Sequence, residues 1–166
     1  MSHANQSEKS AAELSERAWK AADAARTATL ITIEDNRAVA RPMSLNVDLD
    51  RHLLHFLTSA GSHKVQHAGE DASSATIFLN DGNTYVSFTG AMSVSNDREK
   101  IKELWSVFAK AWWDSPEDPD IRLLTVDPST GEIWDSPNTL VATTLMLSAA
   151  ATGTKPHVGD HAQLRE

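Results

Sequence analysis

Apolar residues near the start of the chain recur at helical spacing. Leu14, Ala18, Ala21 and Ala25 fall on one stripe with Trp19 beside it. Ser10-Ala11-Ala12-Glu13 has the spacing of a capping box, so a helix is expected behind Ser10, within an N-terminal helical unit of residues 1–26. From Thr27 the texture turns to strand. The β-branched run 28–33 is followed by Asp35-Asn36, a hairpin signal, and the return segment runs from Arg37 to about Val47. Pro42 inside that segment implies an edge position, a bulge or an exposed backbone nitrogen. Asp48 to Arg51 makes a second turn, and His52 to Thr58 a third strand.

Ser62 is placed to cap a short helix through Ala68 that Gly69 ends. Residues 76–79 form a short strand, Asp81-Gly82-Asn83 a hairpin turn, and Thr84 to Ser95 the longest strand expected. In that strand Tyr85, Ser87 and Thr89 share one face and Val86 and Phe88 the other, while Gly90 marks a bulge or a close backbone approach. Asn96-Asp97 caps an amphipathic helix with a stripe of Ile101, Leu104, Trp105, Phe108 and Trp112. On that stripe Trp105, Phe108 and Trp112 read as core, and Trp113 as the residue for an interface or pocket wall. Ile121 to Val126 and Glu132 to Trp134 flank the Asp127–Gly131 turn as a last hairpin. Thr139 to about Ala150 reads as helix, and residues 152–166 as a C-terminal tail. Six or seven strands joined by hairpins argue for a mainly β (α+β) architecture, an antiparallel small barrel with peripheral helices.

Composition removes several classes of chemistry. The 166 residues hold 15 Lys+Arg against 23 Asp+Glu, a formal charge of −8, and no Cys. The negative field and the lack of a basic cluster argue against nucleic acid. Absent Cys removes disulfides, thiol nucleophiles, iron–sulfur clusters and Cys-based zinc sites. The polar start and the brevity of the Thr- and Ser-rich stretch 140–151 argue against a secretory signal and a membrane span, so a cytoplasmic protein is expected.

The most informative stretch is Phe56-Leu57-Thr58-Ser59-Ala60-Gly61-Ser62-His63-Lys64. A strand ends in hydroxyl residues, turns through Gly and starts a helix with a Lys in its first turn. Such a corner suits a phosphate, but taken alone it reads as an ordinary strand–turn–helix with a solvated Lys. Arg41, expected on an inward face of the neighbouring strand, must find an anion or remain a costly buried charge; an edge position would instead let it reach water. His63 and His67, four apart, form a candidate metal pair, but Gln66 stands where a metalloprotease helix carries Glu, and no metal site is expected. No Gly-x-Ser-x-Gly elbow exists to support a Ser nucleophile.

The Arg41-Pro42-Met43 strand, the Thr58 to Lys64 turn, Tyr85-Val86-Ser87-Phe88-Thr89-Gly90 and Ile133-Trp134-Asp135-Ser136-Pro137 occur in order. Together they resemble the FMN-binding split-barrel superfamily of pyridoxamine 5′-phosphate oxidase. Leu104-Trp105, Ala111-Trp112-Trp113, Pro119-Asp120 and the run from Trp134 to Pro137 resemble its general stress protein 26 branch more closely. The likeness spans roughly Thr27 to Ala150, within a split-barrel domain of residues 27–151.

The resemblance implies a homodimer with FMN, or FAD or another flavin in its place, at the subunit interface. Arg41 and Lys64 would hold the flavin phosphate, helped by Thr58 and Ser62, with His63 standing where relatives place a second Arg. Met43 and Ser44 would line the isoalloxazine, Leu57 would sit beside it, Tyr85 holds a position that contacts the ring in relatives, and Trp134 would reach across from the partner subunit. Two departures bear on substrate. The oxidase pattern Arg-x-x-x-x-Lys ends here in Asn46, and the Arg-x-His that grips the pyridoxamine phosphate after the Trp is replaced by Asp135-Ser136-Pro137. The expectation is a flavin-dependent oxidoreductase of an unidentified small molecule linked to general stress, not a vitamin B6 oxidase. The alternative is a non-enzymatic flavin-binding stress protein.

Overall fold

A computed structural model describes residues 10–68, 73–135, 146, 149–150, 153 and 160–165. Helix α1 (Ala11–Ala25) starts at the expected capping box: the Ser10 hydroxyl accepts from the Glu13 amide, and the Glu13 carboxylate accepts from the Ser10 amide. Strands β1 (Thr27–Glu34) and β2 (Arg37–Ser44) meet across Asp35-Asn36, both at positive φ, the backbone that a tight two-residue hairpin requires. Leu45 then turns inward and splits the return segment, so that β3 (Asn46–Asp48) pairs with β4 (Leu53–Ser59) instead of β1.

After α2 (His63–Ala68), the hairpin of β5 (Ser74–Asp81) and β6 (Thr84–Ser95) turns through Gly82 at φ 61°. The chain then forms α3 (Arg98–Glu103), a single 3₁₀ turn at Ala109–Ala111, β7 (Ile121–Asp135) and β8 (Asp160–Arg165). The sheet runs β2-β1-β5-β6-β7-β4-β3, every pairing antiparallel. It curls until β2 approaches β4, giving the expected split barrel. Inside lie Leu30, Leu54, Phe56, Ile77, Phe88 and Ile133, all nearly inaccessible to solvent. Helix α1 packs into this same core through Leu14, Ala18, Trp19 and Ala22, and the Trp19 ring lies 4.5 Å from that of Phe88 and 4.7 Å from that of His52. The N-terminal helix is thus part of the barrel's core.

Three expectations are corrected. The first is the last hairpin. Residues 121–135 form one continuous strand, longer than β6, and Asp127–Gly131 is not a turn. A bulge in β7, opposite Thr89 and Gly90 of β6, absorbs the irregularity: Thr89 faces Thr130, Gly90 faces Pro128, and Ser129 is the extra residue. Pro128 is tolerated because β4 pairs only as far as Val126 and β8 only from Thr130, so its missing N–H falls in the gap between them. Gly90 is required there, since a Cβ at that position would lie 1.9 Å from the Asp127 carbonyl oxygen.

The second correction concerns the amphipathic helix. Asp97 caps α3 by accepting from the Lys100 amide, but the helix stops at Glu103. The outer face of β7 offers only a small apolar patch, Ile121 and Leu123, and Ile101, Leu104, Trp105 and Trp113 cover it. Phe108 and Trp112 are left outside, 64% and 80% exposed, so neither is core. Thirdly, residues 160–165 of the expected tail form β8 along the half of β7 that β4 leaves open. Most of the helix expected from Thr139 to Ala150, and Gly69, lie outside the described residues.

Two polar clusters brace the barrel. At one end Arg17 Nε lies 2.7 Å from Asp135 Oδ2, while the Thr84 hydroxyl donates to Asp135 Oδ1 at 3.0 Å and accepts from Arg17 Nη2 at 3.3 Å. On the outer face of β4, buried His55 shares a 3.0 Å hydrogen bond with the Thr125 hydroxyl, and its Nε2 has no partner among the described residues. Burial, then the Lys100 ammonium, push the His55 pKa below its ordinary value, with Asp48 and Glu103 pulling partly back.

Candidate functional site

Strand β2 presents Val39, Arg41 and Met43 on its sheltered face and Ala38, Ala40 and Pro42 on the other, as a two-residue period dictates. Because β2 is the edge strand, Pro42 costs no ladder hydrogen bond on its outer side. Where β2 approaches β4, a cavity of about 480 Å³ opens. Its walls include Arg41, Met43, Ser44 and Asn46 from one side and Leu57, Thr58, Ser62 and Lys64 from the other. Leu104, Phe108, Trp112 and Trp113 close a third side.

One end of this cavity is cationic. The loop after β4 is pinned by the Ala60 amide donating to the Asp120 carbonyl at 2.7 Å and the Ser62 amide donating to the Ser59 carbonyl at 3.0 Å. That fixes Ser62 beside Thr58, their hydroxyls 3.2 Å apart, and starts α2 with Lys64 turned to the cavity. Lys64 is half-buried and has no hydrogen bond or ion pair among the described residues. Burial, then the Arg41 charge, lower its pKa from the usual 10.5, and Glu34 partly offsets them. Arg41 is braced from behind: Nη1 donates to the Thr32 hydroxyl at 3.1 Å, and Nη2 lies 2.7 Å from both Glu34 carboxylate oxygens. A short six-residue helix adds little field, so what an anion would find at this end is two cations and two hydroxyls. The remaining wall is neutral and largely apolar, suited to a flat ring system.

Seven residues expected from the sequence therefore meet in one cavity: Arg41, Met43, Ser44, Leu57, Thr58, Ser62 and Lys64. Three do not line it. His63 is exposed at the start of α2. Tyr85 and Trp134 stand side by side on the outer face of β6 and β7, 43% and 36% exposed, with Trp134 stacked on His161 at 5.2 Å. Sequence reasoning missed Thr32 and Glu34, whose signal was their shared strand face with Leu30 directly before the Asp35-Asn36 turn. It missed Phe108 and Trp112 as cavity wall. Among the described residues there is no group of three or more His, Asp or Glu side chains placed to hold a metal. Nor is any helix among them long and apolar enough to cross a membrane.

The family model described as pyridoxamine 5′-phosphate oxidase like matches residues 13–157. The chain belongs to this family. No curated protein matches it. Among solved structures of the fold, one named general stress protein 26, from a Jannaschia species, is 26% identical with a TM-score of 0.77, covering 95% of this chain and 100% of that one. The general stress FMN/FAD binding protein of Xanthomonas citri is 25% identical with a TM-score of 0.67, covering 76% and 92%. General stress protein 26 of Bacillus anthracis, 22% identical with a TM-score of 0.64, covers 72% and 92% and shares the fold.

Proposed function

We propose that the protein is an FMN-binding member of this family that works as a homodimer. Its cofactor phosphate sits between Arg41 and Lys64 and its ring lies against Met43, Ser44 and Leu57. The observation that carries the reading is Lys64: a half-buried ammonium with no carboxylate paired to it among the described residues, beside a second cation, is an unfavourable arrangement until a phosphate arrives. The Thr58 and Ser62 hydroxyls supply neutral donors to the same group. The name of the Xanthomonas citri relative supports a flavin here, and FAD or another flavin would use the same phosphate contacts. In the dimer, the exposed pair Tyr85 and Trp134 belongs at the interface, reaching the partner's cavity.

A bound flavin supplies hydride transfer at its ring, and the protein orients it and excludes water. Among the described residues the cavity walls hold two titratable side chains, Arg41 and Lys64, both at the phosphate end. Asn46 is neutral where the oxidase pattern has Lys, so a second phosphate finds no cation beside the ring. The reading is therefore an oxidoreductase for a small molecule without a phosphate, linked to general stress, and not a vitamin B6 oxidase. That no acid or base lies beside the ring among the described residues favours a second reading, a flavin-binding stress protein without turnover.

The deciding experiment is to purify the protein, record its flavin absorption bands, denature it and identify what is released. FMN at one per subunit is the expected result. A protein that stays colourless with added FMN and riboflavin refutes the proposal. Reduction by a nicotinamide donor followed by rapid reoxidation separates the enzyme from the binder.

A further inference from the structure

Arg41 faces a problem that Lys64 does not share. It sits on an edge strand with a long side chain free to swing to solvent, yet a phosphate site needs it held at one wall of the cavity. The structure solves this with two residues that do not line the cavity. Thr32 and Glu34 are two apart on β1 and so share a face, and the β1–β2 register places them one and two steps toward the hairpin from Leu30, the residue opposite Arg41. From there the Thr32 hydroxyl, 2.9 Å from Glu34 Oε1, fixes the carboxylate, and both receive the guanidinium. Thr32 is buried, and the Glu34 side chain is only 13% exposed. These contacts engage Nη1 and Nη2 and leave Nε–H, one of the five guanidinium donors, without a partner among the described residues.

We propose that Glu34 is a positioning residue, which, with Thr32, holds Arg41 at the cavity wall and so sets the preference for a phosphorylated over an unphosphorylated flavin. The inference rests on the proposed FMN site. Its opposite is also physically reasonable. A carboxylate that close to a cation competes with an incoming phosphate, and Glu34 would then weaken binding. Two features favour positioning. Glu34 lies outside the cavity lining, so the phosphate need not displace it. Its charge also favours the protonated form of Lys64, offsetting part of the mutual repulsion of the two cations.

The test compares FMN and riboflavin dissociation constants, by flavin fluorescence quenching, for the wild type, Arg41→Ala, Glu34→Ala and Glu34→Gln. Gln keeps one oxygen that can accept from both the Thr32 hydroxyl and Nη2, as Glu34 Oε1 does, while losing the second oxygen and the charge. Positioning predicts that Glu34→Ala lowers the FMN-over-riboflavin preference roughly 5-fold or more, the loss expected for one hydrogen bond's worth of organisation, while Glu34→Gln, which keeps one acceptor oxygen, loses less. Riboflavin binding stays unchanged throughout. A preference unchanged or raised in Glu34→Ala overturns the proposal, as does equal loss in Ala and Gln. Should Glu34→Ala fail to fold, Glu34→Asp, whose carboxylate stops one methylene short, carries the same comparison. A wild type with no preference for FMN, or an Arg41→Ala variant that keeps it, defeats the underlying site assignment instead.

Discussion

Replacing Lys64 by Met separates the two roles that a half-buried cation plays. Met keeps the unbranched stem along the wall formed by Leu57 and Thr58 and deletes only the charge. In the ligand-free protein the ammonium is a burden. Its pKa is lowered by burial and by Arg41, so the folded state disfavours the charged form relative to the unfolded chain. A depressed lysine pKa costs stability wherever the group is charged in both states, and that cost fades as pH rises from the folded-state pKa toward 10.5. Near neutrality the Lys64→Met apoprotein is therefore expected to melt at a higher temperature than the wild type. With ligand the sign reverses. A charge-assisted hydrogen bond to phosphate contributes about 1.5–3 kcal/mol, so FMN affinity should fall roughly 10- to 150-fold. Riboflavin affinity should hold, because it offers no phosphate. Differential scanning fluorimetry reads the first effect and fluorescence titration the second. If the variant loses FMN and riboflavin equally, or leaves FMN untouched, Lys64 does not hold the phosphate.

Three further outcomes are expected. Gly90→Ala drives a Cβ against the Asp127 backbone at the β6–β7 bulge and should cost about 3 kcal/mol or more in urea unfolding, whereas a loss under about 1 kcal/mol means that the bulge can shift. Arg17→Met removes the cation from buried Asp135, and since the Arg17 side chain is itself half exposed the loss should be about 2–3 kcal/mol, below that for a fully buried pair; an unchanged midpoint contradicts this. His55 has its pKa lowered by burial and by Lys100, so its contribution is complete above pH 6.5 and is lost as pH falls through the folded-state value. His55→Asn, which cannot take up that proton, should flatten the decline in unfolding free energy between pH 7 and 5, and an unchanged slope places the titration elsewhere.

Local chemistry was legible in the sequence and tertiary accommodation was not. Asp35-Asn36, Gly82 and the Asp97 cap act within four residues of themselves, so their turns and the bounds of β6 could be read directly. Arg41 and Lys64 were legible as a candidate cationic pair because their residue types and flanking elements carry that chemistry, and the fold brings both to one cavity. Asp127-Pro128-Ser129-Thr130-Gly131 has every mark of a turn, yet stays in the strand because a bulge at Ser129 takes up the extra residue opposite β6 and, among the described residues, neither β4 nor β8 pairs with Pro128. The 101–112 stripe has helical period but too little β7 surface to cover, which left Phe108 and Trp112 at the cavity. Glu34 depends on the β1–β2 register and on the direction of one guanidinium, which no spacing rule states.

The gap at Pro128 also makes β7 two edges in series. Its first half carries β4, and with it Leu57 and Thr58 of the cavity, while its second half carries β8 and displays Trp134. An open strand edge of five or six residues is an invitation to pair with any passing chain. β8 closes that invitation beside Trp134 with a strand whose exposed His161 and Gln163 are polar. The protein thus shows an aromatic face beside a covered strand, and the edge on that side is passed from β7 to the more polar β8.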